Sequence, residues 1–111
     1  MNKYIILYKS DMDPEVMMKN MTPEQSKNGM DMWMQWSQKA GSSIVDLGAP
    51  LGKGQVVTKN GGSKAPVGVS GFSIMQGENM EDVKGKLKSH PHFMTPGMSS
   101  IEIYEFLPMD M

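Results

Sequence analysis

The sequence contains no cysteine and no arginine. Without cysteine there is no disulfide, no zinc–thiolate site and no thiol nucleophile. Without arginine the chain lacks the planar fork that grips phosphates and guanine edges. Its basic residues, all lysine, are balanced to a formal net charge of −1, so no strong field steers it toward nucleic acid or an anionic membrane. Long apolar runs are missing too. The opening MNKYIILYKSDMD reaches charge too soon for a secretory leader, and no stretch approaches the ~20 apolar residues of a membrane span. A soluble, cytoplasmic protein with no nucleic-acid or membrane partner is expected. The 111 residues suit one domain, residues 1–111, with a single core.

Methionine is what the chain has in excess: fourteen residues, with Met12, Met17, Met18, Met21, Met30, Met32 and Met34 crowding the first third. The flexible thioether fills irregular gaps and can also ligate soft metals. No repeated ligand spacing appears, so the methionines read as adaptable core and loop filler.

Local patterns set the element order. KYIILYK is a strand apolar on both faces, with Tyr4, Ile6 and Tyr8 on one side and Ile5 and Leu7 on the other. SDMDPEVMMKNM reads as a loop or short helical turn. TPEQ opens a helix: Thr22 caps, Pro23 suits the first helical position and Gln25 completes a capping box. Met30, Trp33, Met34 and Ser37 fall on one stripe, with Trp36 and Ala40 beside it, and Gly41 is the stop. SSIVDLGAPLGKG is a second strand, QVVTKNGGSKA a small hairpin arm and VGVSGFSIMQ a third strand. ENMEDVKGKLKSH is a second helix capped by Asn79, with Met80, Val83 and Leu87 inward and Pro91 preventing its continuation. SIEIYEF closes the chain as a strand, Ile101 and Ile103 on one face, Glu102, Tyr104 and Phe106 on the other. Tyr8 and Tyr104 are candidates to line a common sheet face.

This order predicts an α+β, ferredoxin-like βαββαβ fold with an extra hairpin. Its sheet carries helices on one face only, so a second copy is expected to cover the bare face and close a barrel-like dimer.

KYIILYK, LGAPLG, GFSIMQGENMEDVKGKLKSHPHF and SIEIYEF together resemble the YCII-related family over nearly the whole chain. The resemblance implies a dimeric α/β barrel with a pocket between sheet and helices in each subunit. It also implies, for one branch, dehydrochlorination of a ring-cleavage product by a histidine–aspartate pair. In that branch the histidine lies on the first helix and the aspartate begins an Asp-Pro turn after the second. Here Trp33 and Trp36 occupy the first region and His90 stands at the second. An Asp-Gly-Pro-Phe hairpin sequence of another branch is replaced by NGGS.

The candidate site residues are therefore His92, His90 and Asp46. One reading has a histidine reaching a cleft as an acid–base or hydrogen-bonding group, with Asp46 as the available carboxylate. The other has His90 packing the helix end with a ring nitrogen on backbone carbonyls. A soft-metal site of His90, His92, Met94 and Met98 is a third, but no metal or cofactor is expected. Two functions stay open: a homodimeric binder of a small organic molecule with weak lyase or isomerase activity, and a non-enzymatic binding or interaction module.

Overall fold

β1 (Asn2–Ser10) takes the central place that its two apolar faces call for. The computed structural model describes residues 1–10, 16, 19–52, 54–61, 63–64, 68–94 and 98–108. Tyr4, Ile6 and Tyr8 are buried on one face of β1, while Ile5 and Leu7 are only half-buried on the other. The linker expected at residues 10–21 lies mostly outside the described residues.

α1 (Pro23–Ala40) begins as the sequence predicts. The Thr22 hydroxyl accepts from the Gln25 amide at 3.1 Å, and the Gln25 side chain accepts from the Thr22 amide at 3.0 Å. Its inward face differs from the expected stripe. Gly29, Trp33, Trp36, Ser37 and Ala40 turn inward, whereas Met30 and Met34 are 71% and 50% exposed. The two tryptophans outcompete the methionines for the sheet because each removes more apolar surface from water. Among the described methionines only Met75 is fully buried, and Met80 is partly buried against the core. Core filler is thus the wrong reading for the α1 methionines.

Beyond a 3-10 turn at Gly41–Ser43 comes β2 (Ile44–Pro50), an edge strand whose pairing with its neighbour shifts register twice. Gly48 makes that irregularity possible: its φ is +79°, and a Cβ there would meet the Phe72 carbonyl oxygen. β3 (Val56–Val57) and β4 (Ser63–Lys64) form the small hairpin arm, paired as Val56 with Lys64 and Val57 with Ser63. β5 (Val69–Gly77) returns to the sheet. Gly71 is a close-approach position, since a Cβ would come within 3.4 Å of the Tyr8 ring. α2 (Met80–Leu87) is capped by Asn79, whose side chain accepts from the Asp82 amide at 2.9 Å. A 3-10 turn at Pro91–Met94 leads to β6 (Met98–Glu105).

The sheet order is β2-β5-β1-β6 with every neighbouring pair antiparallel. This is the split βαβ arrangement expected from the element order. Tyr4, Ile6, Tyr8, Trp36, Met75, Val83 and Leu87 form the core between the helices and one sheet face. Among the described residues no helix packs on the opposite face. Register places Ile5 beside Ile74 and Tyr104, and Leu7 beside Phe72 and Glu102 on it. Tyr8 and Tyr104 therefore lie on opposite faces, not a common one: Tyr8 is buried and Tyr104 is 53% exposed. The result is a slab of 44 × 42 × 18 Å. Its radius of gyration, 15.4 Å, exceeds the roughly 13 Å of a compact chain this long.

Candidate functional site

α2 ends before Pro91, which lacks an amide hydrogen and cannot continue a helix. The turn that follows carries both imidazoles inward. His90 is 0% and His92 3% exposed, so both candidates are buried, and the structure brings them together at one end of β1. The backbone amide of His92 donates to His90 Nδ1 at 2.9 Å. His92 Nε2 lies 2.9 Å from the carbonyl oxygens of both Lys9 on β1 and Ser100 on β6. Because both partners are acceptors, that nitrogen must carry the hydrogen. The imidazole thus bridges two strands through a shared N–H.

Three aromatic rings surround His90. Tyr8 lies 4.8 Å away between ring centres, Trp33 4.4 Å and Trp36 4.2 Å, the two tryptophans at steep angles. Tyr8 and Trp33 themselves meet edge-on at 5.0 Å. The sequence expectation that His90 bonds to carbonyls is replaced by a different arrangement: its Nδ1 accepts, and among the described residues its buried Nε2 has no hydrogen-bond partner. Desolvation, with the His92 ring adding to it, pushes the His90 pKa down from 6.5 to about 3. His92 is also pushed down by burial, with its two carbonyl partners opposing the shift. Both rings are therefore neutral near pH 7, and neither supplies a positive charge to a ligand.

Ser73 completes the floor of the cluster and was not singled out in the sequence. The Tyr8 hydroxyl donates to Ser73 Oγ at 2.8 Å, and Ser73 donates to the Leu47 carbonyl at 2.6 Å. Burial lifts the Tyr8 pKa to about 12, with the Ser73 hydrogen bond working against it. A signal existed: strand alternation puts Ser73 on the same face as Met75, and a polar residue at core parity needs a partner.

Asp46 sits apart from the histidines on the edge strand β2. It is exposed, and its carboxylate accepts from the Gly48 amide at 2.8 Å, fastening its own bulge. The side chains of Met94 and Met98 lie outside the described residues. Among the described residues no group of three or more His, Cys, Asp or Glu side chains could hold a metal ion. No helix there is long and apolar enough to cross a membrane.

No family model matches the chain, and no curated protein matches it. Among solved structures it is similar to 5-chloro-2-hydroxyhydroquinone dehydrochlorinase from Burkholderia phenoliruptrix AC1100, in complex with 2,5-dihydroxybenzoquinone. The two share 14% identity and a TM-score of 0.56, over 95% of this chain and 93% of that one. At that identity the likeness establishes the fold: a small α+β domain of ferredoxin-like architecture, shared over nearly its full length with that dehydrochlorinase.

Proposed function

We propose that the protein is a homodimeric small-molecule binder of the YCII-related type, acting without acid–base chemistry. The ligand site would lie between the sheet and α1, at the Tyr8–Trp33–His90–His92 cluster. The observation carrying this reading is the buried His90 Nε2, a polar atom walled by aromatic rings and left without a partner. Buried polar atoms are nearly always satisfied, and exceptions mark sites of function or a missing partner. Aromatic walls offer flat apolar surface for a ring-shaped ligand. The similar dehydrochlorinase holds a flat, oxygenated ring of this kind.

The uncovered sheet face supports the dimer. Ile5, Leu7, Phe72 and Ile74 are half-buried there, and Tyr104 and Phe106 are about half exposed. Such a contiguous apolar face is costly in water, and a second sheet packed on it at about 10 Å removes that cost.

A second reading, a weak lyase or isomerase using His92, His90 and Asp46, is favoured by the dehydrochlorinase activity in the name of the similar structure. It requires a carboxylate to reach an imidazole, whereas Asp46 is engaged with Gly48.

Light scattering after size exclusion tests the dimer, and a monomer at micromolar concentration would overturn it. Thermal-shift screening of flat phenols, quinones and aryl ketones tests the binding. Stabilisation by several of them is expected; no stabilisation by any would overturn the binding reading.

A further inference from the structure

We infer that His90 is a fixed hydrogen-bond donor in this site, and that it selects ligands presenting an acceptor oxygen over ligands of the same shape without one. The inference rests on the reading of the cluster as a ligand site and adds to it the chemical class of the ligand.

A backbone amide can only donate, and the His92 amide lies 2.9 Å from His90 Nδ1. Nδ1 must therefore present its lone pair. A neutral imidazole carries one hydrogen, which is then on Nε2. A doubly protonated ring would set N–H against N–H and lose this bond, so the geometry itself favours the neutral form. Donation to His90 thus leaves its Nε2–H buried and without an acceptor among the described residues.

This assignment removes His90 from the list of bases. Its one lone pair is engaged by the chain, and its other nitrogen already holds a hydrogen. What it can do is give a hydrogen bond to a carbonyl, a quinone oxygen or an ionised phenol. A ligand ammonium offers only hydrogens to this nitrogen and is rejected.

Access is through Trp33. Of the three rings around His90, Tyr8 and Trp36 are buried and Trp33 is half-buried. Trp33 meets His90 and Tyr8 edge-on, so rotation of its side chain would open a slot beside the imidazole without moving the sheet. A flat ring entering there inherits the contacts Trp33 gives up and supplies the missing acceptor.

Two probes of nearly equal shape separate the possibilities: acetophenone, and α-methylstyrene, in which CH2 replaces the carbonyl oxygen. Binding is read by tryptophan emission on the wild-type protein, and the histidine tautomers by long-range 1H–15N spectra. Acetophenone is expected to bind at least about tenfold more tightly, the effect of one satisfied buried donor. His90→Phe, which keeps a ring in place, is expected to erase the difference. The spectra are expected to show His90 protonated on Nε2 alone at pH 7. Equal affinities in wild type would overturn the inference while leaving the ligand site standing. A hydrogen on Nδ1 would overturn it whatever binds. If neither probe binds at millimolar concentration, the ligand reading falls and takes this inference with it, even with the tautomer as assigned. The wild-type comparison needs no variant to fold.

Discussion

Acid should unfold this protein earlier than its carboxylates require, and His90 should be the cause. In the folded chain the imidazole is fully buried and its pKa is pushed from 6.5 to about 3 by desolvation and by the neighbouring His92. In the unfolded chain it takes up a proton near pH 6.5. Between those values the unfolded state binds the extra proton, so stability falls as pH falls. Above pH 6.5 both states are neutral there and the group contributes no slope. Each pH unit inside the window costs about 1.4 kcal/mol per proton, hence roughly 2–3 kcal/mol between pH 6.5 and 4.5. That is a large part of the roughly 5–15 kcal/mol holding a domain together. His92, pushed the same way, adds to the loss. The interval from pH 6.5 to 4.5 also lies above the ordinary aspartate range, so Asp82, whose pKa is lowered chiefly by the Glu78 amide, does not obscure the effect there.

The assay is urea unfolding at fixed protein concentration from pH 7.5 to 4.5, comparing wild type with His90→Asn. Asparagine offers an acceptor where Nδ1 now receives the His92 amide, but it does not titrate. The variant is expected to be less stable at pH 7.5 because it leaves a gap, and to lose less stability on acidification by about one proton's worth of slope. Equal slopes in the two proteins would refute the reasoning.

Ser73→Ala removes the acceptor of the buried Tyr8 hydroxyl and should cost about 1–3 kcal/mol, with Tyr8→Phe restoring part of it in the double variant; thermal melts in a mutant cycle check this. Trp36→Phe deletes the indole hydrogen bond to the Lys86 carbonyl at 3.0 Å, which ties α1 to α2, and should lower stability by about 1–2 kcal/mol in urea titrations. Ile74→Lys puts a charge on the open sheet face beside Ile5; it should leave the monomer's circular dichroism intact and abolish dimer mass in light scattering.

The fold was legible because its signals are local. Thr22, Pro23 and Gln25 announce α1 within four residues, Asn79 announces α2, and alternation in β1 separates Tyr4, Ile6 and Tyr8 from Ile5 and Leu7. Side-chain destinations were less so. Met30 and Met34 look apolar on a helical wheel, yet a wheel cannot say which stripe the sheet will meet, and Trp33 and Trp36 decided that. The burial of His90 was hidden for a similar reason. HPHF reads as a polar turn, and only the convergence of Tyr8, Trp33 and Trp36 from two other elements makes it an interior. Asp46 looked like the natural partner as a carboxylate expected at a strand end, but it lies inside β2 and its carboxylate serves the backbone bulge at Gly48.

The pairing of β1 with β6 sets Tyr4 opposite Glu105 and Tyr8 opposite Ile101. Of the sheet's strands β1 precedes the others in the chain yet lies in the middle, and one of its two flanks, β6, follows all of them. A nascent chain carries a half-zipped central strand, with its greasy tyrosines waiting, until β6 has been made. Nonsense or frameshift lesions that remove β6 alone should therefore be as damaging as those that remove the whole sheet, yielding aggregates instead of shortened but serviceable proteins.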